Sequence, residues 1–134
     1  MTDVLIIGDT FRSPELRHEV PLGVPDPFVY LERDGARHVY VGSMEVPRIR
    51  GVARDITVHP LEEIGIDELV AQGLSVLEVR LEWAARAAGH AGLTHAVVPN
   101  TFPSGYLDRI RRDGVELTVD QGVFDARRRV KAET

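Results

Sequence analysis

The residue types able to do acid–base, metal or nucleophilic chemistry lie apart in this sequence. The histidines are His18, His38, His59, His90 and His95, and no two stand three or four residues apart. Two metal ligands on one helix face need that spacing. His18-Glu19 begins like a zinc-protease His-Glu-x-x-His helix, but position 22 is Leu22, so the second ligand is absent. Each histidine therefore reads as a surface or boundary residue. Gly8-Asp9-Thr10 follows an apolar run, where hydrolases of the Gly-Asp-Ser type carry their serine. Thr10 stands in the serine's place, and no late Asp–His pair follows, since the last histidine is His95. There is no G-x-G-x-x-G and no P-loop, so a nucleotide or enzymatic reading rests on that triplet alone. Glu62-Glu63 and Asp67-Glu68 read as a solvated loop and a helix start, where the dipole favours anions. Arg127-Arg128-Arg129 reads as the wet face of a helix, not as a nucleic-acid patch. Nothing in this set assembles a nucleophile, a base and an oxyanion site. The expectation is a chain with no catalytic residue and no metal ligand of its own.

Composition agrees with an ordinary folded domain. The 134 residues fit one domain, and 43% apolar residues suffice for a core. A net charge of −5 gives no bulk attraction to nucleic acid or to an anionic membrane. The absence of cysteine excludes disulfides, zinc–thiolate sites and a cysteine nucleophile. Val4 to Ile7 is too short for a signal core, and no apolar run reaches the length of a membrane span. A soluble, cytoplasmic α/β domain is the expected class.

The elements follow from local pattern. Val4-Leu5-Ile6-Ile7 reads as a buried central strand. Residues 10–27, broken by prolines, are open to two readings: a long functional loop, or a short helix from Pro14 to Glu19 and an irregular crossing. Asp34-Gly35 encodes a type I′ hairpin turn. Its register sets Glu32 opposite Arg37, Leu31 opposite His38 and Tyr30 opposite Val39, with Phe28, Tyr30, Val39 and Val41 on one face. Ser43 reads as the cap of a short helix from Met44 to Ala53, and Ile56 to His59 as a strand ended by Pro60. Asp67 to Gln72 is a short helix closed by Gly73. Ser75 caps a longer helix, Val76 to Ala88, with Leu77, Leu81, Ala84 and Ala88 as its stripe, broadened by Val76, Val79 and Trp83. Glu82 is placed to pair with Arg86. Ala96 to Val98 is a strand, Thr101 to Arg112 contains a helix with Leu107 and Ile110 inward, and Val115 to Val119 is the last strand. Alternation of this kind predicts a mixed sheet of about five to six strands with helices on both faces.

The last stretch, Val123 to Thr134, reads as the opening turns of a helix with no stop signal. The expected division is a domain over 1–122 and the start of a linker helix over 123–134, leading to a further domain. Leu16-Arg17-His18-Glu19-Val20-Pro21-Leu22, then Pro25 through Gly35, resembles the stretch in N-terminal domains of creatinase and Xaa-Pro peptidase enzymes where a substrate-side loop enters a hairpin. Arg128-Arg129-Val130-Lys131 resembles the junction to the catalytic domain of that family. The family's Tyr-Leu-Thr-Gly stretch is replaced here by Arg17 to Pro21.

This resemblance implies a creatinase/prolidase-type N-terminal domain with a ribonuclease H-like motif. It implies a parent hydrolase, a metallopeptidase of the Xaa-Pro aminopeptidase or dipeptidase kind. Its pita-bread catalytic domain would carry two divalent metal ions (manganese, cobalt or zinc), none of them ligated by this chain. The implied role is oligomerisation, as a homodimer, and control of substrate access, with the chain's own C-terminal catalytic domain as partner. Arg17, His18 and Glu19 would face the substrate mouth, or form plain surface. The alternative is a stand-alone α/β binding or oligomerisation module.

Overall fold

A computed structural model describes residues 2–133, with side-chain surroundings for 2–129. The chain opens with strand β1 (Val4–Gly8), helix α1 (Pro14–Glu19) and the hairpin strands β2 (Phe28–Arg33) and β3 (Ala36–Val41). A 3-10 turn at Ser43–Glu45 leads into α2 (Val46–Val52), β4 (Ile56–Pro60) and a second 3-10 turn at Leu61–Ile64. Helices α3 (Ile66–Ala71) and α4 (Val76–His90) precede β5 (His95–Val98), α5 (Ser104–Arg112), β6 (Glu116–Val119) and α6 (Gln121–Glu133). The strands form one six-stranded sheet in the order β4-β3-β2-β1-β5-β6. Strand β2 runs antiparallel to β1 and β3, whereas the β1–β5, β3–β4 and β5–β6 pairs are parallel. This is the expected mixed α/β sheet flanked by helices.

Two cores cover the sheet, because successive side chains point to opposite faces. Leu5, Ile7, Val29 and Leu31 pack on one face against Leu69 of α3, Trp83, Ala84, Ala87 and Ala88 of α4, and Tyr106 and Ile110 of α5. Val4, Ile6, Phe28 and Tyr30 pack on the other against Leu16 of α1, Ile49 of α2 and Phe124 of α6. The continuous apolar run at Val4–Ile7 is thus a central strand buried on both sides. The hairpin holds the register expected of it, with Glu32 opposite Arg37, Leu31 opposite His38 and Tyr30 opposite Val39. Asp34 and Gly35 have φ of 52° and 83°, as a type I′ turn requires. The Asp34 N–H also donates to the buried Asp3 carboxylate at 2.9 Å, which ties the turn to the start of β1. Helix α4 begins in a full capping box: Ser75 Oγ accepts the Glu78 N–H, and the Glu78 carboxylate accepts the Ser75 N–H.

Of the two readings of residues 10–27, the helix from Pro14 to Glu19 is the one formed, capped by Ser13. Several other details differ from the expectation. Ser43 is not a helix cap but the first residue of a 3-10 turn, and the helix proper starts at Val46 with Pro47 in its first turn. Leu77 and Val76 are 63% and 68% exposed, so they do not belong to the inner stripe of α4. The buried face there is Trp83, Ala84, Ala85, Ala87 and Ala88, because α4 meets the sheet through its C-terminal half. Glu82 is claimed by Arg109 of α5, at 2.8 Å, and Arg86 turns instead to the Ile64 carbonyl and to Glu68. Helix α6 begins at Gln121, two residues before the start expected at Val123, and Phe124 is part of the core. Val130 and Lys131 lie outside the residues with described side chains.

The burial difference along these elements is directly measurable. Leu5→Ala should lower the urea-unfolding free energy by about 2–5 kcal/mol, through lost transfer and a cavity. Leu77→Ala should change it by less than about 0.5 kcal/mol. A large loss at Leu77 would contradict this placement of α4.

Candidate functional site

Strands β1 and β5 are parallel neighbours, yet α1 follows β1 onto one face and α5 follows β5 onto the other. Where chain paths part in this way, a crevice opens at the carboxyl ends of the strands. Here it has a volume of about 270 Å³, with Gly8, Asp9, Arg12, Ser13, Thr101 and Tyr106 among its walls. That is slightly below the roughly 300–1,000 Å³ of a typical small-molecule site. Asp9 is buried at its floor, and one carboxylate oxygen accepts the N–H groups of Phe11 and Arg12, each at 2.9 Å. The exposed Arg12 guanidinium stands 3.8 Å from the other oxygen. Burial pushes the Tyr106 phenol up, against the opposing charge of Arg80, so it stays a neutral donor at the wall.

Gly8 and Asp9 of the Gly8-Asp9-Thr10 triplet therefore line this crevice, but the triplet's polar groups are spent on structure. Thr10 Oγ1 donates to the Leu22 carbonyl at 2.6 Å and accepts the Val24 N–H at 2.7 Å. These bonds pin the irregular crossing after α1 back onto β1, and they leave Thr10 unsuited to attack a substrate.

The substrate-mouth candidates lie at the end of α1. Arg17 is exposed, and His18 and Glu19 line a shallow cavity of about 320 Å³ with Arg37 and Asp55. Glu19 is held by Arg37 at 3.1 Å and by Arg127 at 3.2 Å. Arg127 also reaches Glu32, at 2.7 Å and 3.0 Å, in a two-pronged contact. The expectation of a wholly solvated arginine run is thus corrected at Arg127, which turns inward to two carboxylates. The Tyr30 hydroxyl donates to Glu32 at 2.5 Å and accepts from Arg37 Nε at 2.9 Å. Glu32 and Arg37 face each other in register, but each is committed to these other partners. Burial pushes the Tyr30 phenol well above its ordinary value, with the Arg37 hydrogen bond opposing and the Glu32 bond adding. Burial also pushes Glu32 up, yet the hydrogen bonds from Arg127 and Tyr30 and the charges of Arg127 and Arg37 outweigh it, and its carboxyl lies below the usual range. The cluster clamps α1, α6 and the hairpin together.

A third assembly lies at the β4 side of the sheet. His38, His59 and His90, far apart in sequence, meet Tyr40 and Glu63. His38 Nδ1 and His59 Nε2 are 3.0 Å apart, and the Tyr40 hydroxyl lies 2.7 Å from His90 Nδ1. The His59 ring stacks on Tyr40 with centroids 4.4 Å apart. His59 Nδ1 is hydrogen-bonded to Glu63. Glu63, read from sequence as part of a solvated acidic loop, is thus engaged by an imidazole. Sequence spacing alone does not reveal the group, because it is made by pairing β3 with β4 and by the end of α4. A His-x-x-x-Glu interval at 59–63, leaving a strand, is the local signal that was available.

No protein-family model and no curated protein sequence matches this chain. Among solved structures, the fold is similar to that of the prolidase from Pyrococcus horikoshii OT3, with a TM-score of 0.57 and 12% sequence identity. The likeness covers 92% of this chain and 29% of that chain. It establishes a common fold. No helix among the described residues is long and apolar enough to cross a membrane.

The assignments above give two measurable outcomes. Thr10→Val should cost about 1–3 kcal/mol, since the buried Val24 N–H and the half-buried Leu22 carbonyl lose their partner, while Thr10→Ser should be close to neutral. Glu32 contributes stability above the ordinary glutamate pKa of about 4.3, and that contribution is lost as pH falls through its lowered folded value. Glu32→Gln should therefore be destabilising at pH 7, and its deficit in urea unfolding should shrink at about pH 3. A deficit independent of pH would show that the Glu32 charge is not the operative part.

Proposed function

We propose that this chain is a non-catalytic domain of a Xaa-Pro peptidase-type metalloenzyme. In this reading it helps the enzyme to assemble and narrows access to a metal site on another domain. One observation carries the reading: the fold is shared with a prolidase over 92% of this chain, while accounting for 29% of that chain's length. An accessory domain beside a larger catalytic one has these proportions. The engaged hydrogen bonds of Asp9 and Thr10 favour a scaffold over a catalyst. The exposed Val70, Val76 and Leu77 offer an apolar surface for association. Two divalent ions, manganese, cobalt or zinc, belong to the other domain in this reading. Arg17, His18 and Glu19 at the end of α1 would border the path by which a peptide approaches.

A second reading, a stand-alone binding module, is favoured by the crevice between β1 and β5, the usual ligand position of an open α/β sheet. The source gene separates the two. The first reading expects the frame beyond the Thr134 codon to encode spaced aspartates, a histidine and two glutamates. It also expects the whole gene product to hydrolyse a Xaa-Pro dipeptide in the presence of manganese. A stop codon directly after Thr134, or a downstream frame without those ligands, would overturn it and leave the binding module.

A further inference from the structure

His59, Glu63 and His90 bring three ligand atoms, His59 Nδ1, one Glu63 carboxylate oxygen and His90 Nε2, within 4.8 Å of one another. They come from three elements. His59 lies near the end of β4, Glu63 on the 3-10 turn that follows, and His90 at the last residue of α4. The outward nitrogen of each imidazole already has a protein partner. His59 Nε2 faces His38 Nδ1 at 3.0 Å, and His90 Nδ1 faces the Tyr40 hydroxyl at 2.7 Å. Partners of this kind fix ring orientation and tautomer in metal-binding histidines. With protons on the outward nitrogens, both inward nitrogens present lone pairs toward the same carboxylate. A proton between His59 and Glu63 accounts for that one contact. It gives no role to His90 Nε2, which points at the same oxygen from 3.9 Å.

We propose that His59, Glu63 and His90 form a binding site for one divalent transition-metal ion. Two imidazoles and one carboxylate suit zinc, copper, iron or nickel, whereas magnesium and calcium favour all-oxygen sites. Bonds of about 2.0–2.2 Å hold neighbouring ligand atoms roughly 3–3.5 Å apart. The present group reaches that spacing if Glu63 withdraws slightly from His59 and His90 swings inward. Both have freedom to move, with side chains 42% and 43% exposed, while His59, at 12%, is the fixed member. Three protein ligands leave a fourth position open to water or to an anionic group. His38 and Tyr40 act as positioning residues. The Tyr40 hydroxyl, 2.7 Å from His90 Nδ1, is placed to accept a hydrogen bond from that nitrogen.

The test is calorimetric titration of the tag-free full chain with zinc alone, with cobalt absorption as a second readout. Wild type should bind one zinc per chain. Glu63→Gln and His90→Ala should each weaken binding tenfold or more, and Tyr40→Phe by about tenfold as a partner-shell change. His95→Ala, whose imidazole faces Asp3 and Thr94, should bind as wild type does. Circular dichroism without metal checks that each variant folds, and Glu63→Gln alters an exposed side chain. Cobalt should give a visible band in wild type that is lost in Glu63→Gln. Absence of saturable zinc binding by wild type, or binding unchanged in both Glu63→Gln and His90→Ala, overturns the site. This outcome is separate from the peptidase reading: a failed zinc titration leaves that reading as it was, and a downstream frame without catalytic ligands leaves the zinc site standing.

Discussion

Burial of the sheet on both faces is the constraint from which the rest of this structure follows. Strand β1 sits at its centre, and Val4 and Ile6 must be covered on one side while Leu5 and Ile7 are covered on the other. A slip of one residue would exchange the two sets, so the register of β1 and β2 is fixed by packing as well as by the hairpin turn. Two-sided cover demands helices on both faces. The paths leaving β1 and β5 therefore diverge, and the crevice between them is a product of topology. Its polar walls are Asp9, Arg12, Ser13, Thr101 and Tyr106.

Charge is placed where apolar packing alone would leave segments loosely joined. Glu19, Glu32, Arg37 and Arg127 surround the Tyr30 hydroxyl and join three parts of the chain that share no sequence neighbourhood. In a half-buried cluster of this type, removing one partner costs more than the net worth of the pair, because the remaining charge stays desolvated. On the opposite face of the same side of the sheet, the imidazoles and Glu63 tie the outer strand β4 to the end of α4. Both clusters lie away from the β1–β5 crevice.

Much of the architecture was legible in the sequence because it obeys local rules. The apolar run at Val4–Ile7, the Asp34-Gly35 turn with its register, and the Ser75 cap each depend on residues within a few positions of one another. The alternation of strand and helix patterns also predicts a mixed sheet with helices on both faces, and the observed six strands agree. What escaped depends on tertiary contacts. Leu77 has the periodicity of a core residue but lies on the part of α4 that overhangs the sheet. Arg127 sits in a run typical of solvated helix faces, and only the docking of α6 beside α1 aims it at Glu32. His38, His59 and His90 have no mutual spacing to detect, since strand pairing assembles them.

The strand order has a kinetic consequence. From β4 to β1, every neighbour in the sheet is also a neighbour in sequence, so residues 4–60 hold a set of short-range pairings. Strand β5 must instead find β1 across the whole intervening chain, and the Arg127–Glu32 contact joins residues 95 positions apart. Loop-closure entropy is incurred before such contacts stabilise anything. The sheet is thus divided at the β1–β5 seam into an early, locally paired half and a late half that docks onto it. The crevice lies along the line where the two halves meet.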